Sequence, residues 1–247
     1  MPKYADTQIV EYLTAEQYHP RSSKHGDALC RFLLSDLLET CEAFRRAAEA
    51  NAIVFHANWT IDPLSMDHWN ADLVIGPPTQ PPDPRAPRIG PIAQGEPRET
   101  WIAIDAKTIM TEHGKARRNR QRDLNSFHDI LHRKNSRSIV GGLMIVNIAE
   151  RFQTPLAKQV EGITIHRNVV RLVTEIVTQM GALPRSGRNE GEAGLEALGV
   201  IVLSHTNVPG ERTELVVTPP APSAGDPLSY GMFVRDLCAA FAARYGA

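Results

Sequence analysis

The chain has 247 residues, 42% of them hydrophobic and 22% charged, which is enough for one sizeable globular domain with its own core. Lysine and arginine number 27 against 28 aspartates and glutamates, so bulk charge neither recruits nor excludes a nucleic acid, and only its local distribution can speak. No stretch approaches the ~18 apolar residues of a membrane span, and "MPKYADTQIVEYL" lacks a basic segment followed by an apolar one, so a soluble cytoplasmic protein with no membrane partner is expected.

In chain order, residues 26–50 carry Leu33, Leu37, Cys41 and Phe44 at three-to-four spacing and predict one amphipathic helix. "AIVFHANWTI", "ADLVIG" (71–76) and "WIAIDAK" (101–107) then read as three strands. Residues 77–98 hold eight prolines and almost no apolar periodicity, which predicts a long surface excursion outside the core. A helix follows from about Lys115, and "SIVGGLMIVNIA" reads as a buried central strand. Further on come an amphipathic helix in "HRNVVRLVTEIVTQMGAL", a mobile connection in "PRSGRNEGEAG", strands in "GVIVLSHTN" and "TELVVTP", and a closing helix in "PLSYGMFVRDLCAAFAARYG". Cys30, Cys41 and Cys238 lie in helix-like apolar surroundings with no C-x-x-C pair, and are expected as buried reduced thiols.

The stretch "WIAIDAKTIM" ends an apolar run with a carboxylate and then a lysine. Side chains two apart on a strand share a face, so Asp105 and Lys107 sit side by side, about 7 Å apart along the chain. Taken alone, D-x-K reads as a plain ion pair. A second carboxylate, Asp72, opens the preceding strand; if the strands form an antiparallel meander, the start of one lies beside the end of the next. Two carboxylates can hold Mg²⁺ while leaving sites for water and phosphate, and a nearby lysine can stabilise charge in a phosphodiester transition state.

On "NAD" ending at Asp72, "IDAK" supplying Asp105 and Lys107, and the order helix, three strands, helix, strand, residues 26–148 resemble the PD-(D/E)XK, or restriction-endonuclease-like, nuclease superfamily. Ala71 stands where the family name has proline, and the proline-rich segment stretches the gap between the carboxylates. The resemblance implies an α/β fold with a restriction-endonuclease-like core, a central mixed β-sheet flanked by helices. Residues 149–247 would complete that sheet in a single nuclease domain. It also implies Mg²⁺, with Mn²⁺ as a substitute, held by Asp72, Asp105 and the Ala106 carbonyl, with Lys107 as the catalytic lysine. Some members add an acid from the first helix, and helical phase selects Asp27, within about 20° of Leu34 and Leu38 on a helical wheel; a capping role is the alternative.

Residues 113–137 hold eight lysines and arginines against two aspartates. The apolar stripe Leu124, Phe127, Leu131 continues N-terminally as Arg117 and Arg120, so Lys115, Arg117, Arg118 and Arg120 are the expected phosphate contacts, with a solvated basic face as the alternative. His128 and His132 share a helix face, yet no third ligand is spaced to make a zinc site with them. The resulting expectation is a Mg²⁺-dependent endodeoxyribonuclease of restriction or phage-defence type, acting on double-stranded DNA as a homodimer or higher oligomer. The alternative is a non-catalytic DNA-binding or assembly subunit with the same fold.

Overall fold

A computed structural model describes residues 4–61, 68–155, 162–186 and 193–246. The elements in chain order are α1 (Ala5–Ala15), α2 (Lys24–Thr40), α3 (Glu42–Glu49), β1 (Val54–Ile61), β2 (Trp69–Gly76), β3 (Arg88–Ile89), β4 (Ile92–Gln94), β5 (Ile102–Ile109), α4 (His113–Lys134), β6 (Ile139–Asn147), β7 (Arg151–Gln153), β8 (Ile163–Ile165), α5 (Val169–Gly181), β9 (Ala197–Ser204), β10 (Glu214–Leu215) and α6 (Tyr230–Tyr245). Eight strands form one mixed sheet in the order β10-β9-β6-β5-β2-β1-β4-β3, and β7 and β8 make a separate hairpin. The protein is therefore α/β, with a large mixed sheet between two helical layers.

β1, β2 and β5 run as an antiparallel meander; β5, β6 and β9 are parallel, with α4 crossing over between the first two. Strands covered on both faces should be apolar at every position, and β6 is buried along its whole length. The helices α1, α2, α3 and α6 cover one face of the sheet, and α4 and α5 the other. Gly199 lets α6 close down on β9: a Cβ there would stand 3.0 Å from Phe233 and 2.9 Å from Leu143.

Four expectations need correction. The helix predicted over residues 26–50 breaks at Cys41, whose extended backbone (φ −113°, ψ 99°) turns α2 into α3. The proline-rich segment is not wholly outside the core: β3 and β4 form a hairpin within it, β4 pairs with β1, and Ile92 and Ala93 are buried. Its prolines punctuate the hairpin and leave "IAQ" free to pair. The cysteines are not all reduced, since Cys41 and Cys238 form a disulfide across 5.5 Å between Cα atoms while Cys30 stays free and buried. Residues 197 positions apart meet only because α6 packs on the α2–α3 junction. Finally, of "TELVVTP" only Glu214–Leu215 is strand. Most of the connection expected to be mobile, residues 187–192, lies outside the described residues.

A buried carboxylate ties the lower end of the parallel strands together. Glu196, next to β9, accepts hydrogen bonds from the Val140 backbone N–H of β6 (2.7 Å) and from Arg244 of α6 (2.8 Å), with His132 of α4 at 3.3 Å. Burial pushes its pKa up, but these partners outweigh burial and hold it below the ordinary value. A depressed acid stabilises the fold above its unfolded pKa and loses that contribution as pH falls through the carboxylate range. Glu196→Ala should cost about 3–5 kcal/mol in urea unfolding at pH 7, because it leaves the buried Arg244 without its carboxylate. The gap between wild type and variant should shrink below pH 4.5, the ordinary value for this group.

Candidate active site

The ladder between β2 and β5 ends at the pair Leu73↔Ile104. One residue further, where Asp72 and Asp105 would face each other, the backbones are no longer paired. On the other side of β2, the ladder with β1 skips the same row: Ala57↔Leu73 and Trp59↔Ala71 pair, while Asn58 and Asp72 do not. Asn58 has φ 54°, a left-handed conformation that asparagine tolerates better than most residues. Three strands thus open along one row, Asn58, Asp72 and Asp105.

Side chains fill the gap. Asp72 Oδ2 accepts the Ala106 backbone N–H at 2.7 Å, taking the place of a strand carbonyl. Lys107 Nζ donates to Asp105 Oδ1 at 2.5 Å, so the two residues share a face as strand periodicity predicts. Asp105 is fully buried, and its second oxygen, Oδ2, is buried without a hydrogen-bond partner. A buried carboxylate oxygen with no donor is costly and calls for a cation or a proton.

The electrostatics agree with that geometry. Burial raises the Asp105 carboxyl to about 6; Lys107 pulls it down, the adjacent Asp72 pushes it up, and the Trp69 indole eases it slightly. Burial also raises Asp72, opposed by Lys107 and the Ala106 N–H and reinforced at longer range by Asp27. Two acids driven upward in one place form a site that holds a proton or a metal ion more readily than two bare charges.

The other predicted residues are placed differently. Asp27, in the first turn of α2, is half-exposed and already committed: Oδ2 to the Ser23 hydroxyl at 3.0 Å and Oδ1 to the Asn58 amide at 2.7 Å. It props the distorted Asn58 and is not brought into the carboxylate pair. Lys115 and Arg118 project from the exposed face of α4, Lys115 with Glu112 at 4.0 Å. Arg120 bonds Asp123 at 2.8 Å, and Arg117 is ion-paired with Glu175 of α5. The arginine stripe therefore does leave the core, but at Arg117 it meets another helix rather than open solvent. Asn58 was missed in the sequence; its one signal was an asparagine interrupting a β-type run, a residue depleted in strands.

Among the described residues no three His, Cys, Asp or Glu side chains converge to cage a metal. Asp72 and Asp105 nonetheless suit Mg²⁺, which commonly takes one or two carboxylates and leaves its remaining positions to water and phosphate. Compared with family models, with curated proteins and with solved structures, the chain matches none.

The pair makes a testable demand on stability. An acid whose folded pKa is raised favours the folded state as pH falls from about 6 toward its unfolded value near 3.8. In chelator at pH 7.5, Asp105→Asn should therefore melt at an equal or higher temperature than wild type, and the difference should vanish near pH 4. A clear drop at pH 7.5 would instead mark Asp105 as the structural partner of Lys107.

Proposed function

We propose that the protein is a Mg²⁺-dependent endodeoxyribonuclease, with Mn²⁺ able to substitute, built on a restriction-endonuclease-like core. The observation that carries this reading is the unpartnered, buried Asp105 Oδ2 beside Asp72, with Lys107 on the same carboxylate. The element order supports it: α2, the meander β1, β2 and β5, then α4 and a parallel β6 is the order that the sequence resemblance implies.

In this reading Asp72 and Asp105 would hold the ion, with the Ala106 carbonyl as a further ligand. When bound, Mg²⁺ supplies an acidified water and neutralises charge on the phosphate. Water adds to phosphorus as one P–O ester bond breaks; the attacking water gives its proton to solvent, and the leaving sugar oxygen takes one from solvent. Lys107, one-fifth exposed, stabilises the charge that builds on the phosphate oxygens as a point charge. Asp72 keeps the opened strands in register through the Ala106 N–H. Lys115, Arg118 and Arg120 hold the DNA backbone, whereas Arg117 is engaged by Glu175 of α5.

Cutting both strands of a duplex calls for two sites, hence a homodimer or higher oligomer. A restriction or phage-defence role in the cytoplasm completes the proposal.

Purified protein should cleave duplex DNA with Mg²⁺ or Mn²⁺ and be inert in EDTA; full-rate cleavage in excess chelator would remove the metal from the mechanism. Lys107→Ala should lower the single-turnover rate by roughly 10²–10³ while DNA binding persists. DNA binding with no cleavage by wild type under any divalent ion would favour a non-catalytic subunit.

Changing Arg118 and Arg120 together to alanine should weaken binding about equally across sequences and flatten the salt dependence by a slope of roughly 1 per lost contact. An unchanged slope returns them to a solvated basic face.

A further inference from the structure

The helix α2, on the face of the sheet away from α4, also reaches the opened row. Its Asp27 spends one oxygen on the Ser23 hydroxyl and the other on the Asn58 amide, and Asn58 stands across from Asp72 in the β1–β2 register. Asp27 adds to the upward push on Asp72, so this stretch of α2 lies within electrostatic reach of the carboxylate pair. Burial raises the nearby Cys30 thiol, and Asp72, Asp27 and Asp105 raise it further.

Arg31 follows Asp27 by one turn, the i,i+4 spacing at which an aspartate and an arginine ordinarily pair on a helix. They do not pair here. With Asp27 held by Ser23 and Asn58, the exposed Arg31 guanidinium has no carboxylate partner among the described residues. It lines a cleft of about 220 Å³ together with Asp27, Asn58, Leu73 and the half-exposed Gln94 of β4. That volume is below the range of pockets for whole small molecules and is enough for a phosphate group with a few waters. A guanidinium freed of its helical partner can meet two phosphate oxygens at once.

We propose that Arg31 holds a backbone phosphate of the DNA next to the one that is cleaved, with the Gln94 amide as a neutral donor in the same cleft. Resting on the nuclease reading, this contact makes the grip on the substrate two-sided: α4 acts from one face of the sheet and α2 from the other. Asp27 then has a second task, because its bond to Asn58 is what keeps Arg31 free.

The test measures binding to a DNA duplex in EDTA over a range of salt concentrations. Arg31→Ala should weaken binding roughly tenfold at low salt and flatten the salt dependence by a slope of roughly 1. Its melting temperature should not change, since the side chain is exposed. Arg31→Lys keeps the charge and should keep the slope while recovering only part of the affinity. Arg45→Ala, which removes an exposed arginine of α3 that does not line the cleft, should leave the slope as in wild type. An unchanged slope in Arg31→Ala, or an equal loss in Arg45→Ala, would overturn the proposal.

Cleavage with Mg²⁺ separates this contact from the reading on which it rests. At saturating DNA the single-turnover rate of Arg31→Ala should fall by roughly tenfold, because a phosphate held beside the scissile one positions it; a rate equal to wild type would place Arg31 away from the reaction and overturn the assignment. Cutting by wild type together with an unchanged slope for Arg31→Ala sinks the contact and leaves the nuclease. A slope lost with Arg31 and no cutting under any divalent ion sinks the nuclease and leaves Arg31 as a DNA contact.

Discussion

A buried carboxylate, Asp105, with the half-buried Asp72 beside it in the middle of a sheet sets the terms for everything around them. Neither can be left bare, because an unpaired buried charge costs several kcal/mol. The protein meets that demand with a lysine on Asp105 and a backbone N–H on Asp72, and leaves one oxygen unanswered. Providing the N–H requires the β2–β5 ladder to open by one row, and β1 to open with it at Asn58. Strain at a site is credible when its surroundings over-determine it, and here Asp27 pins the Asn58 side chain from α2.

The rigidity that tolerates such an opening comes from the other side of the sheet. β6 is flanked by parallel partners for nearly its full length, and its residues are all buried between the two helical layers. Glu196 secures the N-terminal end of the parallel strands by binding β6, α4 and α6 at once. The sheet is therefore tied together at the N-terminal end of the parallel strands and opened from the carboxylate row onward. This polarity places the exposed start of α4, with Lys115 and Arg118, beside the opened end.

Charge along α4 shows how local pattern and tertiary context divide the work. Arg117 and Arg120 share a helical phase and would be interchangeable on an isolated helix. In the folded chain one is paired with a carboxylate from α5 and the other lines a cavity beside β5. The difference arises from a residue 58 positions away in the chain, which no periodicity on α4 can reveal.

The amino-acid pattern alone determined the elements whose signal is local: the strands around Asp72 and Asp105, the shared face of Asp105 and Lys107, the amphipathic α4 and α5, and the apolar run of β6. Each follows from side-chain period and burial within a few residues. Only the tertiary structure decided the break at Cys41, the bridge from Cys41 to Cys238, the pairing of β4 from within a proline-rich stretch, the partners of Arg117 and Asp27, and the unsatisfied oxygen on Asp105. Those features depend on which distant residues are brought into contact, and burial, hydrogen bonding and pKa are properties of that arrangement rather than of any residue in the chain by itself.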